Sequence, residues 1–159
     1  MTQNRNSDVK RIEISFVQRD APGWILIYMK ADEIQHEIWA SYCFPPFEKL
    51  VRFLEDIMSN NLPSYFDVDQ EGSFKYFGAL PHENGDLFHF TLHDSCTRES
   101  CAHVPIDGIF EKKQFITEFI EKFEEFLSTR YDDILWDGGD LRSINLGKLI
   151  MKKEDKMKS

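Results

Sequence analysis

Cysteine is scarce in this chain of 159 residues: there are three, an odd number, spread along the sequence. A chain of this length buries about two-thirds of its unfolded surface and needs no disulfide framework. Free thiols in a reducing compartment are the expectation, and the chain reads as cytoplasmic. Long hydrophobic runs are also missing. None approaches the ~18 residues of a membrane-spanning helix, and the opening MTQNRNSDVKR lacks the apolar stretch of a secretion signal, so no membrane association is expected. Cationic charge is short as well, with 19 Lys and Arg against 28 Asp and Glu, a net charge of −9. From Lys148 onward five Lys stand against Glu154 and Asp155, which leaves +3 on that tail and −12 on residues 1–147. Nucleic acids are bound by cationic groups that displace counterions from phosphates, so direct nucleic-acid binding is not expected. A basic protein partner is electrostatically complementary to such a body.

Catalytic signatures are absent too. The sequence has no G-x-S-x-G elbow, no phosphate-cradling G-x-x-x-x-G-K-[ST] and no G-x-G-x-x-G, and the reading favours a chain that is not an enzyme. Aromatic side chains, by contrast, are plentiful: 14 Phe, within an aromatic share of 14%. Disordered chains are poor in such residues, so a folded body with a sizeable core follows.

Periodicity places the elements. RIEISFVQR (11–19) alternates Ile12, Ile14 and Phe16 against Glu13 and Ser15, the pattern of a half-buried strand. WILIYM (24–29) is apolar on both faces, as in the middle of a sheet, and EIQHEIWASY again alternates. Pro45-Pro46 halts the third strand. FEKLVRFLEDIM then sets Phe47, Leu50, Val51, Leu54, Ile57 and Met58 along one helical stripe. Strands are expected near 65–70, 73–80 and 86–93, the last two joined by a hairpin whose Asn84-Gly85 would supply positive φ. A short extended segment at AHVPI and a turn at Asp107-Gly108 lead to a helix over about 110–130. Its stripe is Phe115, Ile116, Phe119, Ile120, Phe123, Phe126 and Leu127. Residues 141–151 are open to helix or strand. The expectation is a single α+β domain over 1–147 in βββα-βββα order, an antiparallel sheet of about six strands carrying two amphipathic helices on one face. A basic frayed tail, 148–159, follows.

Two groups of residues raise chemical questions. The first is HFTLHDSCTRESCAH (89–103). On a strand, His89 and His93 face the same way but stand about 13 Å apart at ~3.3 Å per residue, too far to chelate one tetrahedral zinc. A candidate metal or thiol-redox set remains in His93, Cys96, Cys101 and His103. It lacks the tight Cys-x2-Cys knuckle, so zinc is the lesser reading beside a hairpin with polar surface residues. The second group is acidic. Asp67, Asp69 and Glu71 alternate, and Asp132, Asp133, Asp137 and Asp140 cluster near the C-terminus. The DVDQEG string does not complete a calcium loop, because Glu71 stands where the template needs Asp or Asn. An acidic edge guarding an outer strand accounts for it. Trp39 falls on the Gln35–Glu37 face of its strand, and an exposed Trp beside carboxylates is the composition of a protein-binding hot spot. Trp39, Asp67, Asp69 and Glu71 are therefore the candidate partner-binding residues.

The strings PPFEKLVRFLEDI (45–57), FDVDQEGSFKYFGAL (66–80) and QFITEFIEKFEEFL (114–127) resemble a loose family of small bacterial α+β proteins, some of whose relatives are associated with toxin-immunity loci. The resemblance spans residues 10–135 and rests on packing patterns. Gln70-Glu71-Gly72 stands where the family has a Glu-Pro-Gly-like turn, and no functional residue carries over. The resemblance implies a non-enzymatic, acidic protein-binding module of immunity or inhibitor type that masks a basic surface on its partner.

Overall fold

The alternation of RIEISFVQR and the two-sided apolarity of WILIYM resolve into neighbouring strands in a computed structural model, which describes residues 8–18, 22–94, 105–132, 134–136 and 141. The elements are β1 (Val9–Lys10), β2 (Glu13–Gln18), β3 (Trp24–Ala31), β4 (Ile34–Ser41), α1 (Phe47–Met58), β5 (Ser64–Asp69), β6 (Phe74–Pro81), β7 (Leu87–Asp94), β8 (Ile106–Glu111) and α2 (Lys112–Thr129), then a 3-10 turn at Ile134–Trp136. The fold is α+β. In place of one antiparallel sheet of about six strands, the described residues form eight strands in two sheets, ordered β2-β3-β4 and β1-β8-β7-β6-β5. One pairing, β1 with β8, is parallel.

The two additional strands have physical explanations. β1 is two residues long, too short to leave an alternation. β8 contains Asp107-Gly108, which reads as a turn but is paired in the sheet with Thr91 and Phe90. Gly108 is a close-approach site: a Cβ there would lie 2.4 Å from the Lys10 side-chain stem crossing it. The hairpin signals also exchange places. Asn84 and Gly85 are not among the positive-φ residues, whereas Asp32 and Glu33, at φ 53° and 66°, make the left-handed two-residue turn between β3 and β4. Asn84 acts through its side chain instead, its Oδ1 accepting the Asp86 N–H at 3.0 Å.

Both helices pack into one core shared by the two sheets. From β2, Phe16 meets Phe119, Phe123 and Phe126 of α2 at ring separations of 6.3, 5.2 and 5.8 Å. In α1, Phe53 meets Phe66, Phe77 and Phe90 of the larger sheet. Phe47 stacks on Phe123 at 5.5 Å and joins the helices to each other. Each fully buried ring contributes roughly 1.5–3 kcal/mol through removal from water.

Edges are closed by side chains. The chain entering β2 gives its Ile12 N–H to Gln114 Oε1 (3.1 Å), and Gln114 Nε2 returns a bond to the Ile12 carbonyl (2.9 Å). Ile14 N–H donates to Glu118 Oε2 at 2.8 Å. Beside β4, side chains of the β5–β6 turn meet the strand: Trp39 N–H donates to Gln70 Oε1 (2.8 Å) and Ser41 Oγ–H to Glu71 Oε2 (2.5 Å). This seam separates the two sheets.

Candidate functional site

Strand register sets up the site. Across β5, β6 and β7 one row of neighbours is Tyr65, Gly78 and Thr91, and the next is Asp67, Tyr76 and His93. Residues two apart on a strand share a face, so these six lie together on the side of the large sheet away from Phe77, Phe90 and Leu92. There Tyr65 is 66% exposed and Tyr76 37%. Tyr76 stacks on His93 at 5.3 Å with 29° between planes, and on Phe74 at 6.2 Å.

Gly78 explains how Tyr65 is held. A Cβ at position 78 would sit 3.2 Å from two carbons of the Tyr65 ring and 2.6 Å from Thr91 Oγ1. The missing side chain is the space over which the ring lies. One face of the exposed ring thereby rests on the Gly78 backbone while its outer face meets solvent.

Beside these rings runs a groove of about 570 Å3 whose other wall is α1. Lys49, Arg52 and Asp56 line it from the helix, and Ser64, Tyr65, Phe66 and Asp67 from β5. Lys49 Nζ reaches Asp67 Oδ1 at 3.3 Å. Asp56 accepts from Ser64 Oγ–H at 2.7 Å and from Asn61 Nδ2 at 3.2 Å. A second hollow of about 430 Å3 borders β2 and β3; the Lys122–Glu118 pair at 3.6 Å lies at its rim.

The candidates from sequence scatter around this groove. Asp67 lines it. Asp69 caps the β5–β6 turn by accepting the Glu71 N–H at 2.9 Å. Glu71 leaves the strand in a left-handed conformation, φ 62°, and its carboxylate is bound to Ser41 at the seam. Trp39 is half-buried, edge-on to Trp24 at 6.0 Å. Two of the four, Trp39 and Glu71, thus act at the junction of the sheets, and Asp69 acts within the β5–β6 turn. His93 lines the groove, whereas Cys96, Cys101 and His103 lie outside the described residues, as do Asp133, Asp137 and Asp140. His89 and His93 do not converge: His89 pairs with Asp107 and His93 with Tyr76. Among the described residues, no group of three or more His, Cys, Asp or Glu is gathered as for a metal ion, and no helix is long and apolar enough to cross a membrane.

Sequence reasoning did not single out Tyr65, Tyr76 or Arg52. A signal was present, because Tyr65 and Tyr76 occupy the phase opposite Phe66 and Phe77, and aromatics on both phases of neighbouring strands leave one set facing outward. Lys75 was also passed over. It lies on the core phase, 8% exposed, in an ion pair with Asp94 on the neighbouring strand.

Comparison with known proteins finds no family model, no curated protein and no solved structure that matches the chain.

Proposed function

We propose that the chain is a non-enzymatic protein-binding module of immunity or inhibitor type, that its acidic body masks a basic surface on a partner protein, and that the groove between α1 and β5 anchors it to that partner. The carrying observation is Tyr65, 66% exposed yet seated over Gly78. A ring that already rests on the sheet has less side-chain entropy to lose on binding, and exposed aromatics are common anchors of protein interfaces. Tyr76, supported by His93 and Phe74, extends the anchor across two strands. The net charge of −9 supplies the long-range part, drawing a basic partner into encounter and giving the association a salt dependence.

The test uses the full chain as bait on a column, followed by salt elution. The proposal expects a basic protein released by salt, and the same protein lost when Tyr65→Ser and Tyr76→Ser are introduced together. Retention of nothing salt-sensitive, or retention unchanged in the double variant, contradicts it.

A further inference from the structure

Resting on that reading of the groove, we infer that it receives an extended segment of the partner protein as an added strand on the outer edge of β5 at Tyr65 and Asp67, with a carboxylate of that segment against Arg52. β5 ends the five-stranded sheet. Its hairpin with β6 closes through Gln70 N–H donating to the Ser73 carbonyl at 2.8 Å. Counting back from that bonded pair, Val68, Phe66 and Ser64 are the residues bonded to β6, so the N–H and C=O of Tyr65 and Asp67 point away from it. Neither residue makes a backbone bond on that outer side among the described residues.

The groove follows this edge. Ser64, Tyr65, Phe66 and Asp67 all line it. Consecutive residues of a strand point to opposite faces, so a hollow touching four in a row runs along the strand's edge. β2 differs, because Glu118 occupies the N–H of its Ile14 and Gln114 that of Ile12 just before it. An unpaired edge flanked by a hollow is the geometry of recognition by strand addition, in which main-chain bonds supply affinity and alternate side chains supply selectivity.

The charges select the segment. Lys49 is taken by Asp67, and Asp56 by Ser64 and Asn61. Arg52 is exposed and makes no ion pair among the described residues. Its planar donors suit a carboxylate. The segment that fits is extended, free of proline, and carries Asp or Glu at the Arg52 position with alternate side chains on the Tyr65 ring.

The test selects binders to the full chain from a displayed library of random nine-residue peptides, synthesises the tightest, and measures its affinity. Two N-methylated forms follow, each blocking alternate amides in one of the two phases. Strand addition predicts that one phase loses about tenfold or more in Kd and the other retains affinity, since ~1.4 kcal/mol of lost hydrogen bonding is a factor of ten. Asp67→Pro, which removes an outward N–H from an edge strand where proline is tolerated, lowers affinity similarly. Arg52→Glu weakens the peptide but not its Glu→Gln form. The inference is overturned if both N-methylated phases bind like the parent. If that happens while Tyr65→Ser still abolishes binding, the groove stands as a protein-binding surface and strand addition alone fails. If no selected peptide responds to Tyr65→Ser or Arg52→Glu, the proposed function falls with it.

Discussion

Replacing Gly78 with alanine tests whether the groove's aromatic wall is set by a missing side chain. The new Cβ would lie 2.6 Å from Thr91 Oγ1 and 3.2 Å from the Tyr65 ring, against the ~3.5–4.0 Å of ordinary carbon contacts. Thr91 must move by roughly 1 Å, and a β-branched side chain has few alternative rotamers. Such overpacking costs about 1–3 kcal/mol. Relief of the entropic cost of glycine in a strand returns about 0.5–1 kcal/mol. The net loss is then about 1.2 kcal/mol at the centre of these ranges and at most about 2.5 kcal/mol. With a urea slope of about 2 kcal/mol/M, the unfolding midpoint falls by ~0.6 M. Since the nearest obstacle is the Thr91 hydroxyl, Gly78→Ala in a Thr91→Ala background should cost less than in the parent, a coupling that a double-mutant cycle reads directly. A Gly78→Ala protein with an unshifted midpoint, or one whose penalty is unchanged without the threonine hydroxyl, refutes the reasoning.

Other perturbations follow from the same geometry. Gln114→Ala leaves the N–H and C=O of fully buried Ile12 without their side-chain partner; a loss of about 1–3 kcal/mol by urea unfolding is expected, with self-association in size-exclusion chromatography as the β2 edge opens. Asp94→Asn leaves the Lys75 ammonium, 10% exposed in its side chain, beside a neutral group, and should destabilise by about 3 kcal/mol. Lys75→Met, which removes the buried charge while keeping its length, should cost less; the reverse order would contradict the burial argument. For the metal alternative, elemental analysis of protein purified without added metal is expected to show zinc well below one per chain. Stoichiometric zinc that disappears on replacing Cys96 and Cys101 would instead support a zinc-binding or thiol-redox protein using His93, Cys96, Cys101 and His103.

Much of the fold was legible because burial writes a period into the sequence. α1 and α2 follow from apolar stripes, and β2, β3 and β4 from alternation or its two-sided absence. Legibility failed where tertiary contacts decide. Asp107-Gly108 has turn composition, yet its glycine admits the crossing Lys10 stem within a strand. Where the two sheets meet, Gln70 and Glu71 bond to β4, and nothing local marks those residues as seam-formers. The acidic series of Asp67, Asp69 and Glu71 reads as one face, but left-handed backbone at Glu71 takes its carboxylate to Ser41. The groove was readable only in part: the outward phase of Tyr65 and Tyr76 is in the sequence, whereas the glycine seat beneath Tyr65 requires knowing that positions 65 and 78 are cross-strand neighbours.

The most direct test of a protein-binding groove on β5 and β6 is site-specific photo-crosslinking in cells, with a crosslinking amino acid placed at Tyr65, Tyr76 or, for comparison, the exposed Glu124 of α2. The account predicts one shared adduct from positions 65 and 76, formed with a basic protein and suppressed by Arg52→Glu, and no such adduct from position 124. Adducts from position 124 but none from 65 and 76 would contradict it.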